Sequence, residues 1–309
     1  MNDIYQLGIT IIHAFQSVEN PVLTAIVKGI TFMGEPVVYV LLLGIILFCV
    51  DSKKGLQLLI ALLFSTMVNS SLKLFLQVPR PFLLEEGLNL IQEKGFSTPS
   101  GHSQQSALFY TIFAVLFILR SNLNKKKLFF YLVALVLPIL VGLSRIYLGV
   151  HYPTDVLFGW TLGYFFAFCG IVLWEKFATP FVNLRKSLQT LIIAMTVLLL
   201  NAIADGKNTE SALFFGAALG GILGENKNLF YPVKLPVKKR IMRLVLGGAV
   251  PAASLVICKL IFDFAEGLIP NTHQIFDYGL FLIAGFSLTF LASFILVKLN
   301  LGEKNHVEN

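Results

Sequence analysis

Apolar runs about the length of a bilayer crossing alternate along this chain with short polar or charged breaks. They fall at about 35–50, 56–76, 103–120, 127–147, 153–174, 188–204, 210–225, 241–262 and 275–299. A helix needs roughly 20 apolar residues to cross the hydrocarbon, so the pattern predicts about nine transmembrane helices. Lipid gives backbone N–H and C=O groups no partner, which restricts spanning structures to helices and closed barrels. The alternation expected of barrel strands is absent. Residues 1–30 read differently, with Ile4, Leu7, Ile11 and Phe15 interleaved among Asp3, Gln16 and Glu19. That spacing predicts an amphipathic interfacial helix, with a re-entrant segment as the alternative. The fold class is therefore an all-α, polytopic transmembrane helix bundle. A polar break at 205–210 and a loop at 226–240 containing Lys, Pro232 and Pro236 divide it. The expected organisation is an interfacial segment over 1–34, a six-helix core over 35–205 and a three-helix extension over 206–309. No chemistry is assigned to the extension.

Composition excludes the soluble alternatives. Of 309 residues, 56% are hydrophobic and 13% charged, against about 25% charged in an ordinary soluble domain. Disorder and a disulfide scaffold fail on the same figures. The net charge of +7 raises nucleic-acid binding, but the basic residues sit in short clusters between apolar runs, and no nucleic-acid partner is expected. Lys53 and Lys54, Arg120 with Lys125, Lys126 and Lys127, Lys176 with Arg185 and Lys186, and the group from Lys227 to Arg243 follow alternate spans, and Lys298 and Lys304 close the chain. The positive-inside rule makes their side cytoplasmic. Loops 77–102 and 146–152 then face outward from an inner (plasma) membrane. The first 27 residues hold no Lys or Arg, so no cleavable signal peptide is expected. Cys49, Cys169 and Cys258 lie in apolar runs without metal-ligand spacing and read as small buried hydrophobes.

Polar residues at the predicted outer face carry the candidate chemistry, because charges in a bilayer are costly unless they have a partner or a task. Lys73 and Arg80 flank a helix end followed by Pro79 and Pro81. Both cations could face one anion, or could anchor the helix at the headgroups. Pro99-Ser100-Gly101-His102 precedes an apolar run. The free N–H groups of that helix start form an anion site, with His102 beside it to move a proton; the alternative is an ordinary capped helix. Arg145 ends one span, and His151 and Asp155 open the next, four residues apart on one helix face. A carboxylate on one imidazole nitrogen raises the nucleophilicity of the other. A structural His–Asp pair and a metal site of His102, His151 and Asp155 are the alternatives, although the pattern lacks a further helix-spaced ligand.

Taken together, Lys-x6-Arg-Pro, Pro-Ser-Gly-His and Ser144-Arg-x5-His-x3-Asp resemble the signature of the type 2 phosphatidic acid phosphatase superfamily, which includes the vanadium haloperoxidases. The resemblance spans about 35–205. It implies metal-independent phosphate ester or diphosphate hydrolysis without a cofactor. By that resemblance His151 is the nucleophile, Asp155 orients it, and His102 is the general acid and then base. Lys73, Arg80, Ser100, Gly101 and Arg145 hold the non-bridging oxygens. Gln104 and Gln105 depart from the small apolar residues common after the His in relatives, and either shape the leaving-group pocket or point to neighbouring helices. The implied partners are membrane lipids and a lipid phosphate: undecaprenyl diphosphate, phosphatidic acid, phosphatidylglycerol phosphate or a lipid A-type phosphate. The segment Phe82 to Ser97, with five Leu or Ile residues beside Glu85, Glu86 and Glu93, is expected to be an amphipathic gate. A transporter, a structural membrane protein and a sugar-phosphate phosphatase are the competing readings, and the sequence leaves oligomeric state open.

Overall fold

The computed structural model describes residues 2–118, 124–227, 229–231, 233–269 and 272–301. Arg120, Pro232 and Lys304 lie outside the described residues. Helices account for every regular element among those described. Six helical stretches are long and apolar enough to span a membrane: Ser52–Leu84, Leu128–Tyr147, Pro153–Leu173, Lys186–Ile203, Val237–Gly267 and His273–Lys298. A seventh is added if Pro21–Phe32 and Pro36–Val50, bent by 46° at their break, count as one span. Two of the nine expected spans do not pass on length and composition. Gly101–Ile118 opens with His102, Ser103, Gln104, Gln105 and Ser106, and Glu210–Asn226 has only 17 residues.

The chain forms two compact units: Met1–Tyr39 with Val68–Trp174 and Ile203–Asp205, and Val40–Met67 with Glu175–Ala202 and Gly206–Asn309. The first contains α1 (Asn2–Gln16), α2 (Pro21–Phe32), the start of α3 (Pro36–Ile45), the end of α4 (Ser52–Leu76), α5 (Pro81–Leu84), α6 (Gly101–Ile118), α7 (Asn124–Tyr147) and α8 (Pro153–Phe168). Residues 1–34 thus form two helices rather than one. Asn20 starts the second, its Oδ1 accepting from the Leu23 amide at 2.9 Å with Pro21 in the first turn. Ile9 and Ile12 of α1 are buried with Leu88, Ile146, Tyr152 and Val156, and Gln16 donates to the carbonyls of Leu88 and Tyr147 at 2.8 and 2.9 Å.

α6, α7 and α8 pack together, and glycine sets how closely. A Cβ on Gly159 would lie 2.6 Å from the Ser100 carbonyl, and one on Gly163 2.3 Å from that of Gln104. Small residues at this spacing let helix backbones approach. Pro138 inside α7 has no N–H for the carbonyl one turn back. That carbonyl, of Ala134, instead accepts from Thr111 Oγ1 and Tyr164 Oη, each at 3.4 Å.

The second unit holds the end of α3 and start of α4, then α9 (Trp174–Asn183), α10 (Lys186–Ile203), α11 (Glu210–Asn226), α12 (Val237–Leu268), α13 (His273–Phe286) and α14 (Ala292–Lys298). α11 lies against α13, with Gly216 facing the Leu282 carbonyl too closely for any Cβ.

Candidate active site

Each functional side chain is placed by a local break in the chain. α4 stops at Leu76 because Gln77 takes a left-handed conformation, φ 50°, in the manner of a helix C-terminus. Lys73 is left in the last turn and Arg80 just beyond it. α7 ends at Tyr147, and the turn that follows needs Gly149. Its φ is +70°, and a Cβ there would fall 2.0 Å from the Leu88 carbonyl. His151 lies in this turn, not on the helix face expected for it, because Pro153 opens α8 two residues later. Asp155 sits in the first turn of α8 and accepts from the Tyr152 amide at 2.9 Å.

The pair meets nonetheless, with His151 Nδ1 3.3 Å from Asp155 Oδ2. Both are buried, at 2% and 1% exposure. Arg80 Nη1 lies 3.3 Å from His151 Nε2. A guanidinium can only donate, so Nε2 carries the lone pair and Nδ1 the proton that faces Asp155. Burial, reinforced by the charges of Lys73 and Arg145, holds the His151 imidazole well below the ordinary histidine range against the opposing pull of Asp155. A neutral ring with its free lone pair beside a cation has the electronic form that nucleophilic attack requires.

The carboxylate is itself held by residues the sequence analysis passed over. Ser97 Oγ donates to Asp155 Oδ2 and Thr98 Oγ1 to Oδ1, each at 2.5 Å. Their position immediately before Pro99-Ser100-Gly101-His102 was the available signal. The Ser100 amide donates to the Asp155 carbonyl at 3.0 Å, joining the starts of α6 and α8. Gly101 and His102 then supply the first amides of α6, which a helix start leaves without intrahelical partners. Gly101 meets only Asn69 Oδ1, 3.4 Å from a hypothetical Cβ, so packing does not demand glycine there.

Lys73 and Arg80 hold the loop before α6. Lys73 Nζ donates to the carbonyls of Phe96 and Ser97 at 2.7 and 2.9 Å. Arg80 donates to those of Gly95, Lys94 and Val150 at 3.0, 2.7 and 3.0 Å. Arg145, fully buried, donates from Nη1 to Thr31 Oγ1 at 2.9 Å and from Nη2 to Glu93. Glu93 also lies 3.9 Å from Arg80. It was visible in the sequence only as one of three loop acids. Gln104 points to a neighbouring helix, accepting from Asn69 Nδ2 at 2.8 Å. His102 Nε2 bonds Glu35 Oε1 at 3.2 Å, a partner that no motif includes. Among the described residues no three His, Cys, Asp or Glu side chains gather as a metal site.

Comparison with known proteins points to a family. The model of the PAP2 superfamily matches residues 54–180. Phosphatidylglycerophosphatase B of Bacillus subtilis (strain 168) is 35% identical over 154 residues, 47% of this chain and 72% of that protein. The chain belongs to the PAP2 superfamily. A second PAP2-like relative, an undecaprenyl-diphosphatase of Sulfolobus acidocaldarius, is 30% identical over 41% of this chain and 58% of its own length. The crystal structure of a transmembrane PAP2-type phosphatidylglycerolphosphate phosphatase from B. subtilis superposes with a TM-score of 0.51 at 31% identity, covering 57% of this chain and 89% of that one. The protein is a multi-pass membrane phosphatase of the PAP2 superfamily.

Proposed function

We propose that this PAP2 phosphatase hydrolyses a lipid phosphate or diphosphate through a phosphohistidine at His151. The observation that carries the reading is the set of partners around that ring, Asp155 on Nδ1 and Arg80 on Nε2. Nε2 attacks phosphorus, the N–P bond forms, and the bond from phosphorus to the leaving oxygen breaks as His102 protonates it. His102 then takes a proton from water, whose oxygen attacks phosphorus and breaks the P–N bond, releasing inorganic phosphate. Asp155 stabilises the positive ring. Lys73, Arg80, Arg145, Ser100 and Gly101 hold the non-bridging oxygens, and phosphate entering beside Arg145 displaces Glu93 from it. Positioning and fixed charge carry most of the rate in phosphoryl transfer, and this scheme draws both from side chains and backbone amides.

The membrane setting and the names of the relatives favour a lipid. Phosphatidylglycerol phosphate and undecaprenyl diphosphate come first, with phosphatidic acid and a lipid A-type phosphate as further candidates. The charge bias supports a site at the outer face of the inner membrane. The family match at 54–180 falls inside 35–205, which supports that stretch as the phosphatase core, with 1–34 and 206–309 appended. The loop over 82–97 is the gate. Leu88, Leu90 and Ile91 anchor it in apolar clusters, while Leu83 is two-thirds exposed.

Phosphate release by the purified protein in detergent micelles tests the reading on lipid mono- and diphosphates and a sugar phosphate, with and without EDTA. Lipid phosphates should be turned over, EDTA should have no effect, and vanadate should compete. Turnover of the sugar phosphate alone would overturn the lipid assignment. Activity lost to EDTA and restored by zinc would overturn the metal-free scheme.

A further inference from the structure

Glu35, the partner of His102, lies 67 positions before it in the chain and outside the 54–180 family match. It stands in the break between α2 and α3, and that break reaches the site at several points. Thr31, in the last turn of α2 just before it, accepts from Arg145 Nη1 at 2.9 Å. The Met33 carbonyl accepts from Tyr110 Oη of α6 at 2.6 Å. Gly34 has no room for a side chain: its Cβ would lie 2.8 Å from His102 Cδ2 and 2.7 Å from Val141 Cγ1. The chain therefore runs against the His102 ring before Glu35 closes on Nε2. The imidazole is 15% exposed and the carboxylate 42%, so a largely buried ring is held from its more open side.

We infer that Glu35 is a positioning residue for His102. It binds Nε2, leaves Nδ1 for the reacting oxygen, and stabilises the imidazolium whose proton passes to the leaving group. The inference rests on the assignment of His102 as the acid. The charged groups bearing on that ring are Glu35 from the α2–α3 break, Arg145 from α7 and Glu93 from the loop before α6. The arrangement gives the site two His–carboxylate pairs. Asp155, next to the nucleophile in sequence, serves His151, and a residue from the N-terminal helices serves His102. The second pair makes the break between α2 and α3 part of the site.

The test uses leaving groups of different basicity on the full chain in detergent. An alkoxide must be protonated as it leaves, whereas a nitrophenolate departs without help. The ratio kcat/KM reports the steps up to that departure. Glu35→Gln should lower kcat/KM for a long-chain alkyl phosphate about tenfold or more, with a much smaller loss for nitrophenyl phosphate. Glu35→Asp should recover part of the alkyl activity. Equal losses on both substrates, or wild-type alkyl activity in Glu35→Gln, would overturn the inference. His102→Gln separates the two levels: if it is inactive on the alkyl substrate while Glu35→Gln keeps wild-type alkyl activity, only the role of Glu35 fails. Full alkyl activity in His102→Gln would overturn the assignment beneath it.

Discussion

Each compact unit holds an arginine at 2% exposure or less, Arg145 at 0% in the first and Arg243 at 2% in the second. Their surroundings differ in kind. Arg243 Nε donates to the Phe48 carbonyl at 2.7 Å. Its Nη1 donates to Tyr231 Oη and the Leu301 carbonyl at 2.8 and 2.6 Å, and its Nη2 to Ser52 Oγ at 3.3 Å. The guanidinium also lies 5.4 Å from the centre of the Tyr231 ring. Every nitrogen ends on a neutral acceptor fixed in the same unit, as a structural staple should. Arg145 has a hydroxyl and a loop carboxylate, and its Nε has no hydrogen-bond partner among the described residues. A buried cation with one partly exposed anionic partner and a donor in reserve is suited to receiving a different anion. Burial alone says nothing of function. The completeness and exchangeability of the partners do.

Three experiments press on that contrast. The largest effect belongs to the nucleophile. His151→Gln should lower phosphate release by about 10⁴-fold or more, with the melting temperature in detergent nearly unchanged. Substantial residual turnover would remove the chemistry from the first unit. Next come the two arginines. Arg145→Lys keeps the charge but loses the planar fork, so turnover should fall by about 100-fold at nearly constant Tm. Arg243→Met should do the reverse, lowering Tm while the folded fraction keeps its kcat. It strips donors from buried carbonyls, each costing about 1–3 kcal/mol when left unpaired. A stable but inactive Arg243→Met would collapse the distinction.

The smallest effect concerns pH. His151 is held neutral in the folded protein, its affinity for protons lowered chiefly by burial. The reactive form therefore persists as pH falls through about 6.5, the ordinary histidine value, and the acid limb of kcat/KM due to this ring should lie below it. Stability has the opposite concern. The unfolded chain binds a proton at His151 below about 6.5 while the folded chain does not, so folding loses stability as pH falls beneath that value. Comparing Tm between pH 7 and pH 5 should give a smaller drop in His151→Gln than in the unaltered protein.

Much of the site was legible because its residues form three short motifs with fixed spacing. Lys73, Arg80, Ser100, His102, Arg145, His151 and Asp155 all lie beside helix ends that Pro or Gly mark in the sequence. Glu35, Thr31 and Glu93 were not legible as site residues, since nothing local connects a glutamate at a helix break to a histidine 67 residues on. Tertiary packing alone makes those contacts. Of the nine expected spans, six or seven pass on length and composition among the described residues. The apolar residues from Ala107 onward suggest a span beginning at 103, whereas Ser103, Gln104 and Ser106 at its start are buried without exposure and meet protein instead of lipid. The position of His151 turned on one residue, Pro153, which moved it from a helix to the turn before.

Gly159 and Gly163 have a mechanical consequence. With α8 seated directly on the carbonyls of Ser100 and Gln104, no side chain lies between the two backbones to compress or yield. The segment bearing His102 and the segment beside His151 are thus clamped together, and thermal breathing of the bundle has little leverage on the gap between them. Room for a bulky hydrocarbon tail has to open elsewhere.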